Sequence, residues 1–263
     1  MIHYADKYLL SPTHPVTVGL VGCGGTGSQV LTCLARMDFA LRGLGHPGFH
    51  VTAYDPDEIT KANLGRQLFS PVELGLNKAV ALITRINRFF GLGWYGRPFD
   101  YSYESVQAEA AELTNIVITC VDTIKARMDI ADIWHDITSQ ARRHGEYDNG
   151  SYWLDFGNTQ HTGQAVLGSF DMIRQPDDTY QALPLVTDVF ELSDDEEDHG
   201  PSCSLAEALN RQDLFINTTL ATLGMDILWK LFRETKIEHH GVFVNLKTMK
   251  VNPIPVPEKN HEV

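Results

Sequence analysis

No uninterrupted apolar run in this chain approaches the roughly 20 residues that a membrane-spanning helix requires, so no membrane partner is expected. The first fifteen residues, with Asp6, Lys7 and two histidines, lack the pattern of a secretory leader, and a cytoplasmic protein is the expectation. Cysteines are few, four in 263 residues, and none forms a Cys-x-x-Cys pair. That gives neither a disulfide framework nor a structural zinc signature. Cations are also short: 21 Lys and Arg stand against 34 Asp and Glu, a formal net charge of −13. Nucleic-acid phosphates would be repelled except at a local basic patch, so no nucleic-acid partner is expected, whereas a basic protein partner is compatible. Part of that charge sits in Asp194, Asp195, Glu196, Glu197 and Asp198, a run that reads as a solvated loop. The rest, 43% hydrophobic and 21% charged overall, has the balance of an ordinary soluble protein, long enough for one large α/β domain or for two.

What is present is concentrated in residues 16–78. Val16, Thr17, Val18, Gly19, Leu20 and Val21 form a β-branched and apolar run that suits a strand buried on both faces. Gly22-Cys23-Gly24-Gly25-Thr26-Gly27-Ser28 follows at once. Glycines here permit a tight turn, let backbone N–H groups approach a phosphate, and let the next helix pack closely on the sheet. That helix aims its N-terminus at the anion. Val30, Leu31, Leu34, Met37 and Leu41 recur at helical spacing, which gives it one apolar face. A second strand over residues 50–55 ends on Asp55, a carboxylate placed to accept hydrogen bonds from a ribose. This much is shared by many dinucleotide sites. The continuation through Asp57, Asn63, Arg66 and Gln67 to Lys78 is not, because a dinucleotide needs one acid for ribose and no Arg and Lys beyond it. Guanidinium and ammonium groups neutralise β- and γ-phosphates and the charge that develops as pyrophosphate leaves, so the pattern favours ATP over NAD.

At these residues the chain resembles the ThiF/MoeB/HesA superfamily of adenylating enzymes, which activate ubiquitin-like and sulfur-carrier proteins, and within it the ThiF-like members of plasmid-borne PRTRC clusters. The family's Gly-x-Gly-Gly-x-Gly-Ser loop is similar to residues 22–28 and its Asp-x-Asp element to Asp55 and Asp57. Its Asn-Leu-x-Arg-Gln motif corresponds to Asn63, Leu64, Arg66 and Gln67, its phosphate-binding lysine to Lys78, and its Asp-x-x-x-x-Arg motif to Asp122 and Arg127. The resemblance implies a Rossmann-like three-layer α/β fold whose mixed sheet is parallel in its N-terminal half and antiparallel in its C-terminal half. It implies a single adenylation domain over 1–263, with a nucleotide-binding half at 1–150 and a partner-binding half at 151–263. A small β-grasp, ubiquitin-like protein is the implied partner, a homodimer the implied assembly, and ATP with Mg²⁺ the implied cofactors. Many relatives hold a zinc ion in two Cys-x-x-Cys pairs; none is expected here. In bacterial relatives an N-terminal arginine reaches the partner subunit's ATP. No arginine precedes Arg36, so either another arginine substitutes or that contribution is missing.

Beyond Lys78 the spacing predicts a helix ending near Gly91, a strand over 94–99, a short helix over 104–113 and a buried strand over 115–121. Asp122 then lies at the C-terminal end of a strand, where open α/β sheets bind ligands and a carboxylate holds Mg²⁺ together with substrate phosphates; it also suits a helix N-cap, and the two roles are compatible. A helix over 123–144, strands at 152–156 and 163–168, a long helix within 212–232 burying Leu214, Phe215, Leu220 and Leu228 among others, and a hairpin at 242–253 complete the reading. Residues 169–201 are long and without a period, where the family's crossover loop covers the partner's tail. Cys203, next to serines that could cap a following helix, has two readings, a nucleophile and a buried inert thiol. Resemblance to the zinc-free members that activate UFM-type modifiers favours the first. Cys23, Cys33 and Cys120 are assigned to the core, and the histidines, including His239 and His240, to the surface.

The expected activity is ATP-dependent adenylation of a protein's C-terminal carboxylate, with Arg66, Asp122 and Cys203 catalytic. Gly22, Gly24, Gly25, Gly27, Ser28, Asp55, Asp57, Asn63, Arg66, Gln67, Lys78 and Asp122 are the expected nucleotide-site residues, with Asp122 holding the metal. Two rivals are a non-catalytic ATP-binding scaffold and an NAD-dependent oxidoreductase, the latter leaving Arg66, Gln67 and Lys78 without a purpose.

Overall fold

A computed structural model describes residues 1–108, 114–143, 152–190 and 212–258, and the apolar runs of the sequence become the strands of one eight-stranded sheet. The elements are β1 (His3–Tyr4), α1 (Lys7–Leu10), β2 (Val16–Val21), α2 (Gly25–Gly43), β3 (Phe49–Tyr54), α3 (Lys78–Phe90), β4 (Tyr95–Arg97), α4 (Tyr103–Ala108), β5 (Ile116–Thr119) and α5 (Ile124–Arg143). They continue with β6 (Tyr152–Asn158), β7 (Thr162–Ser169), β8 (Ile173–Arg174), β9 (Tyr180–Gln181), α6 (Val186–Val189), α7 (Ile216–Arg233), β10 (Lys236–Ile237), β11 (His239–Asn245) and β12 (Lys250–Pro255). The strand order is β12-β11-β7-β6-β5-β2-β3-β4. Pairing is parallel from β4 across to β6 and antiparallel from β6 outward to β12, the mixed sheet expected of a Rossmann-like fold.

Strand alternation assigns the two faces. Leu20, Ile116, Ile118, Leu154, Phe156 and Leu167 face a core shared with α2, α3 and α7. Val21, Val117, Trp153 and Val166 face the other side, where Ile130, Ala131 and Trp134 of α5 cover them. On that side Phe170 stacks between two indoles, with ring centroids 5.5 Å from Trp134 and 5.4 Å from Trp153. Helix α3 is bounded as its sequence directs: the Asn77 side chain accepts from Val80 N–H at its start, and Gly91 adopts the left-handed conformation at its end. At the sheet edge, β12 carries Pro253 and Pro255, which remove two N–H groups from an exposed strand.

Three expectations are corrected. The strand predicted over 94–99 is shorter, because Trp94 is buried with its indole N–H donating to Phe49 O at 3.1 Å. Leu214 and Phe215 are exposed, at 43% and 65%, because α7 starts only at Ile216 and Phe215 is its N-cap. His3 and His240 are buried, not on the surface: β1 pairs with β10 and brings His3 to 3.0 Å from the Tyr152 hydroxyl, while His240 Nδ1 lies 3.0 Å from Leu167 O.

Burial pushes the His3 imidazole down from 6.5 to about 4, with Gln181 opposing and His240 reinforcing the effect. The folded protein therefore refuses a proton that the unfolded chain accepts. This contribution is fully present above pH 6.5 and is lost as pH falls toward 4. Lowering the pH from 7.5 to 5 is expected to cost about 2 kcal/mol through this one group. Urea unfolding midpoints across that range check it, and a His3→Gln variant that keeps the full wild-type acid sensitivity would refute the assignment.

Candidate functional site

Strand β2 has parallel neighbours on both sides, and the chain leaves it toward β3 through α2 while β5 arrives on the other side. The glycine loop thus stands at the point where the strand order reverses, the crevice in which open α/β sheets take ligands. Gly22 has φ +89°, and a Cβ there would lie 2.7 Å from Cys120 O. Gly27, inside the first turn of α2, would place a Cβ 1.9 Å from Gly22 O. The loop is therefore closed to side chains at both positions, and it brings the start of α2 against the sheet. No side chain caps that helix; Gly24 occupies the N-cap, leaving the first N–H groups for a ligand. In front of it is a cavity of about 650 Å³, lined by Gly22, Gly24, Gly25, Asp55, Asp57, Arg66, Gln67, Lys78 and Asp122 among others.

The acids and cations arrive already engaged. Asp55 is buried; one carboxylate oxygen accepts from Cys23 N–H at 2.6 Å and the other from Asp57 N–H at 2.9 Å. Burial raises its pKa, opposed by Lys78 and these two N–H groups. Asp55 therefore ties the glycine loop to the end of β3 and keeps unused lone pairs toward the cavity. Lys78 is buried, with Nζ 2.6 Å from Asp57 Oδ2. Arg66 donates from Nη1 to Gln212 Oε1; Asn217 Nδ2 donates to the same oxygen at 3.0 Å, and Thr26 Oγ1 donates to Asn217 Oδ1 at 2.9 Å. This chain of bonds links the guanidinium to the first turn of α2. Burial lowers the Arg66 pKa, and Asp122 opposes that effect. Among the described residues, Arg66 Nε and Gln67 Oε1 are buried without a partner, and both residues line the cavity. A buried donor and acceptor beside an uncapped helix N-terminus fit a polar, anionic ligand.

Asp122 stands exposed on the cavity wall after β5. Arg127, from α5, is buried below it: Nε lies 3.1 Å from each Asp155 oxygen, and Nη2 donates to Val121 O at 2.7 Å and Phe156 O at 3.1 Å. Among the described residues no cluster of three His, Cys, Asp or Glu side chains could hold a metal, so a cation here would rest on Asp122 and ligand oxygens. No helix of the described residues is long and apolar enough to cross a membrane.

Residues 12–263 match the ThiF family. The chain belongs to that family. It is 25% identical over 170 residues to ubiquitin-like modifier-activating enzyme 5 of Oryza sativa subsp. japonica, covering 60% of this chain and 35% of the relative. To the enzyme of the same name from Drosophila persimilis it is 30% identical over 126 residues, covering 43% and 30%. The chain thus matches about a third of the length of these relatives. Among solved structures, E. coli MccB with MccA-N7isoASN superposes with a TM-score of 0.58 at 15% identity, covering 94% of this chain and 65% of that one. PaaA gives the same TM-score at 14% identity, covering 93% and 65%. These similarities show the fold alone.

Most of the ThiF-family motif residues converge on the cavity, but not all. Asn63 does not line it: its Oδ1 accepts from Thr60 N–H at 2.7 Å, and its carbonyl accepts from Gln67 N–H at 3.0 Å, bracing the turn that presents Arg66 and Gln67. Ser28 and Gly27 lie behind the loop, with Ser28 Oγ donating to Gly25 O at 3.0 Å. Cys120 follows β5 instead of lying within it, and lines the cavity. Burial raises the thiol pKa of Cys120 and of Cys23, which keeps both protonated. Cys203 and the acidic run at 194–198 lie outside the described residues. The sequence reading missed Gln212, Asn217, Asn158, Tyr54 and Tyr101 on the wall. The two tyrosines meet edge to face at 5.1 Å, and the Tyr101 hydroxyl accepts from Trp134 Nε1 at 3.0 Å.

Proposed function

We propose that this ThiF-family chain uses ATP to adenylate the C-terminal carboxylate of a small ubiquitin-like or sulfur-carrier protein. The observation that carries the proposal is Arg66: a half-buried guanidinium, aimed by Gln212, with Nε unpaired beside the uncapped start of α2. Gly24 and Gly25 offer N–H groups to the phosphates, Asp55 accepts from the ribose, and Lys78 joins Arg66 in offsetting phosphate charge. Asp122 holds Mg²⁺, which supplies further charge neutralisation on the phosphates.

The substrate carboxylate oxygen attacks the α-phosphorus, the bond to the bridging oxygen breaks, and pyrophosphate leaves with that electron pair. This chain contributes position and charge: Arg66 and the N–H groups of α2 stabilise the negative charge that builds on the leaving oxygens. Cys203 is the proposed acceptor of the acyl group. Its thiolate would attack the acyl carbon and displace AMP, giving a thioester. A Cys203→Ser protein that still forms a reducible conjugate would remove it. The names of the similar curated proteins support a ubiquitin-like partner, and the resemblance to PRTRC-cluster members, a homodimer and a cytoplasmic setting belong to the same proposal.

The first experiment is calorimetric titration of the purified protein with Mg-ATP and, separately, with NAD. Mg-ATP binding without NAD binding is expected, because Arg66 and Lys78 answer a triphosphate. Binding of NAD alone would replace adenylation with an oxidoreductase.

A further inference from the structure

Asp155 lies one position inside the cavity wall formed by Phe156, Gly157 and Asn158 of β6, and its carboxylate is 1% exposed. A buried carboxylate is costly unless it is paired and hydrogen-bonded. Here it is both: Thr119 Oγ1 donates to Oδ1 at 2.6 Å, Arg127 Nε lies 3.1 Å from each oxygen, and Trp153 Nε1 donates to Thr119 Oγ1 at 2.7 Å. Arg127 itself lines the nucleotide cavity. Two of its three nitrogens are nonetheless taken up by the protein, Nε by Asp155 and Nη2 by Val121 O and Phe156 O. Val121 immediately precedes Asp122, so the guanidinium clamps the end of the segment that presents the exposed carboxylate to β6. Gly157 makes room for the clamp: a Cβ there would lie 2.9 Å from Arg127 Nη2.

Resting on the adenylation reading above, we infer that Asp155 is a positioning residue for Asp122. It holds the Arg127 guanidinium against the Val121 and Phe156 carbonyls, which fixes the segment bearing Asp122, and it keeps that cation from neutralising the Asp122 carboxylate. Without Asp155 the buried guanidinium needs another anion, and Asp122 is on the same cavity wall. The loss then falls on the divalent cation that Asp122 holds, and not on the contacts that Arg66, Lys78 and α2 make to the nucleotide.

The test is calorimetric ATP binding with EDTA and with saturating Mg²⁺, the ratio of the two dissociation constants being the magnesium gain. In Asp155→Asn the magnesium gain is expected to fall about tenfold, as outer-shell substitutions do at metal sites. The affinity in EDTA is expected to stay within about twofold, and adding Asp155→Asn to Asp122→Ala to lower the gain no further, since both act on one group. The paired change Arg127→Met with Asp155→Leu removes the buried ion pair as a whole, which proteins tolerate far better than a lone buried charge. It keeps the question answerable where Asp155→Asn does not fold, and it too is expected to lose the magnesium gain. An unaltered gain in a folded variant, equal losses with and without Mg²⁺, or additivity with Asp122→Ala would overturn the inference while leaving adenylation intact. A wild-type protein that binds no ATP would overturn the adenylation reading, and this inference with it.

Discussion

Gly27→Ala is expected to weaken Mg-ATP binding by at least about a hundredfold and to lower stability by about 3 kcal/mol, the upper end of what overpacking costs. The added methyl carbon would lie 1.9 Å from Gly22 O and 2.9 Å from its carbonyl carbon. Neither neighbour is a flexible side chain that can swing away. Gly22 N–H donates to Tyr54 O at 2.9 Å, and Cys120 N–H donates to Val21 O at 2.8 Å, so the peptide that would have to yield is stitched into two strands of the sheet. The loop must lift from α2, which separates the glycine N–H groups from the helix terminus that gives them their purpose. Gly43→Ala at the other end of the same helix is the control. Nothing lies within 4 Å of a Cβ there, and alanine is expected to leave binding unchanged and to add up to about 1 kcal/mol of stability. Calorimetry and urea unfolding on both variants decide it; wild-type ATP affinity in Gly27→Ala would mean that the helix terminus does not hold the nucleotide.

The parallel half of the sheet and the glycine loop were legible in the sequence because their determinants are local. A β-branched run followed at once by glycines specifies a strand, a turn and a helix start within a dozen residues. Helix α3 is similar, since Asn77 and Gly91 mark its ends within its own sequence. The amide side of the cavity was not legible. Gln212 and Asn217 acquire their role only when the start of α7 is packed against α2, 191 residues from Thr26 in the case of Asn217. Phe215 fits a helical period by count, yet the helix begins one residue later and leaves it in solvent. His3 and His240 carry no local signal that assigns a face, and long-range pairing buries them: β1 with β10 covers His3, and β11 with β7 sets His240 beside Leu167 O. Asn63 shows the reverse case, a motif residue that stands off the cavity wall. Its motif was readable, but its Oδ1 accepts from Thr60 N–H and Thr60 Oγ1, which turns the side chain to bracing its own loop.

Arg66→Ala is expected to weaken ATP binding by about 30- to 100-fold, or ~2–2.7 kcal/mol, the range for removing a charge-assisted bond. AMP binding should change by no more than about threefold, because the ribose and α-phosphate are left to Asp55 and the glycine loop. The contrast matters because the Arg66 guanidinium is held in one place. It donates to Gln212 Oε1, which also accepts from Asn217, so its direction is fixed before any ligand arrives and little ordering cost remains. Gln212→Ala removes the guide but keeps the charge, and a loss of only about three- to tenfold for ATP is expected. Arg66→Lys restores charge without the planar donor set and should recover part of the affinity, most visibly at low ionic strength. Calorimetric titrations of ATP and AMP across these variants read the site directly. Equal losses for the two nucleotides in Arg66→Ala would move Arg66 away from the terminal phosphates and back to the role of a wall residue. A loss confined to ATP would assign it to the leaving pyrophosphate, where transition-state charge collects and where one well-aimed cation has its largest effect on rate.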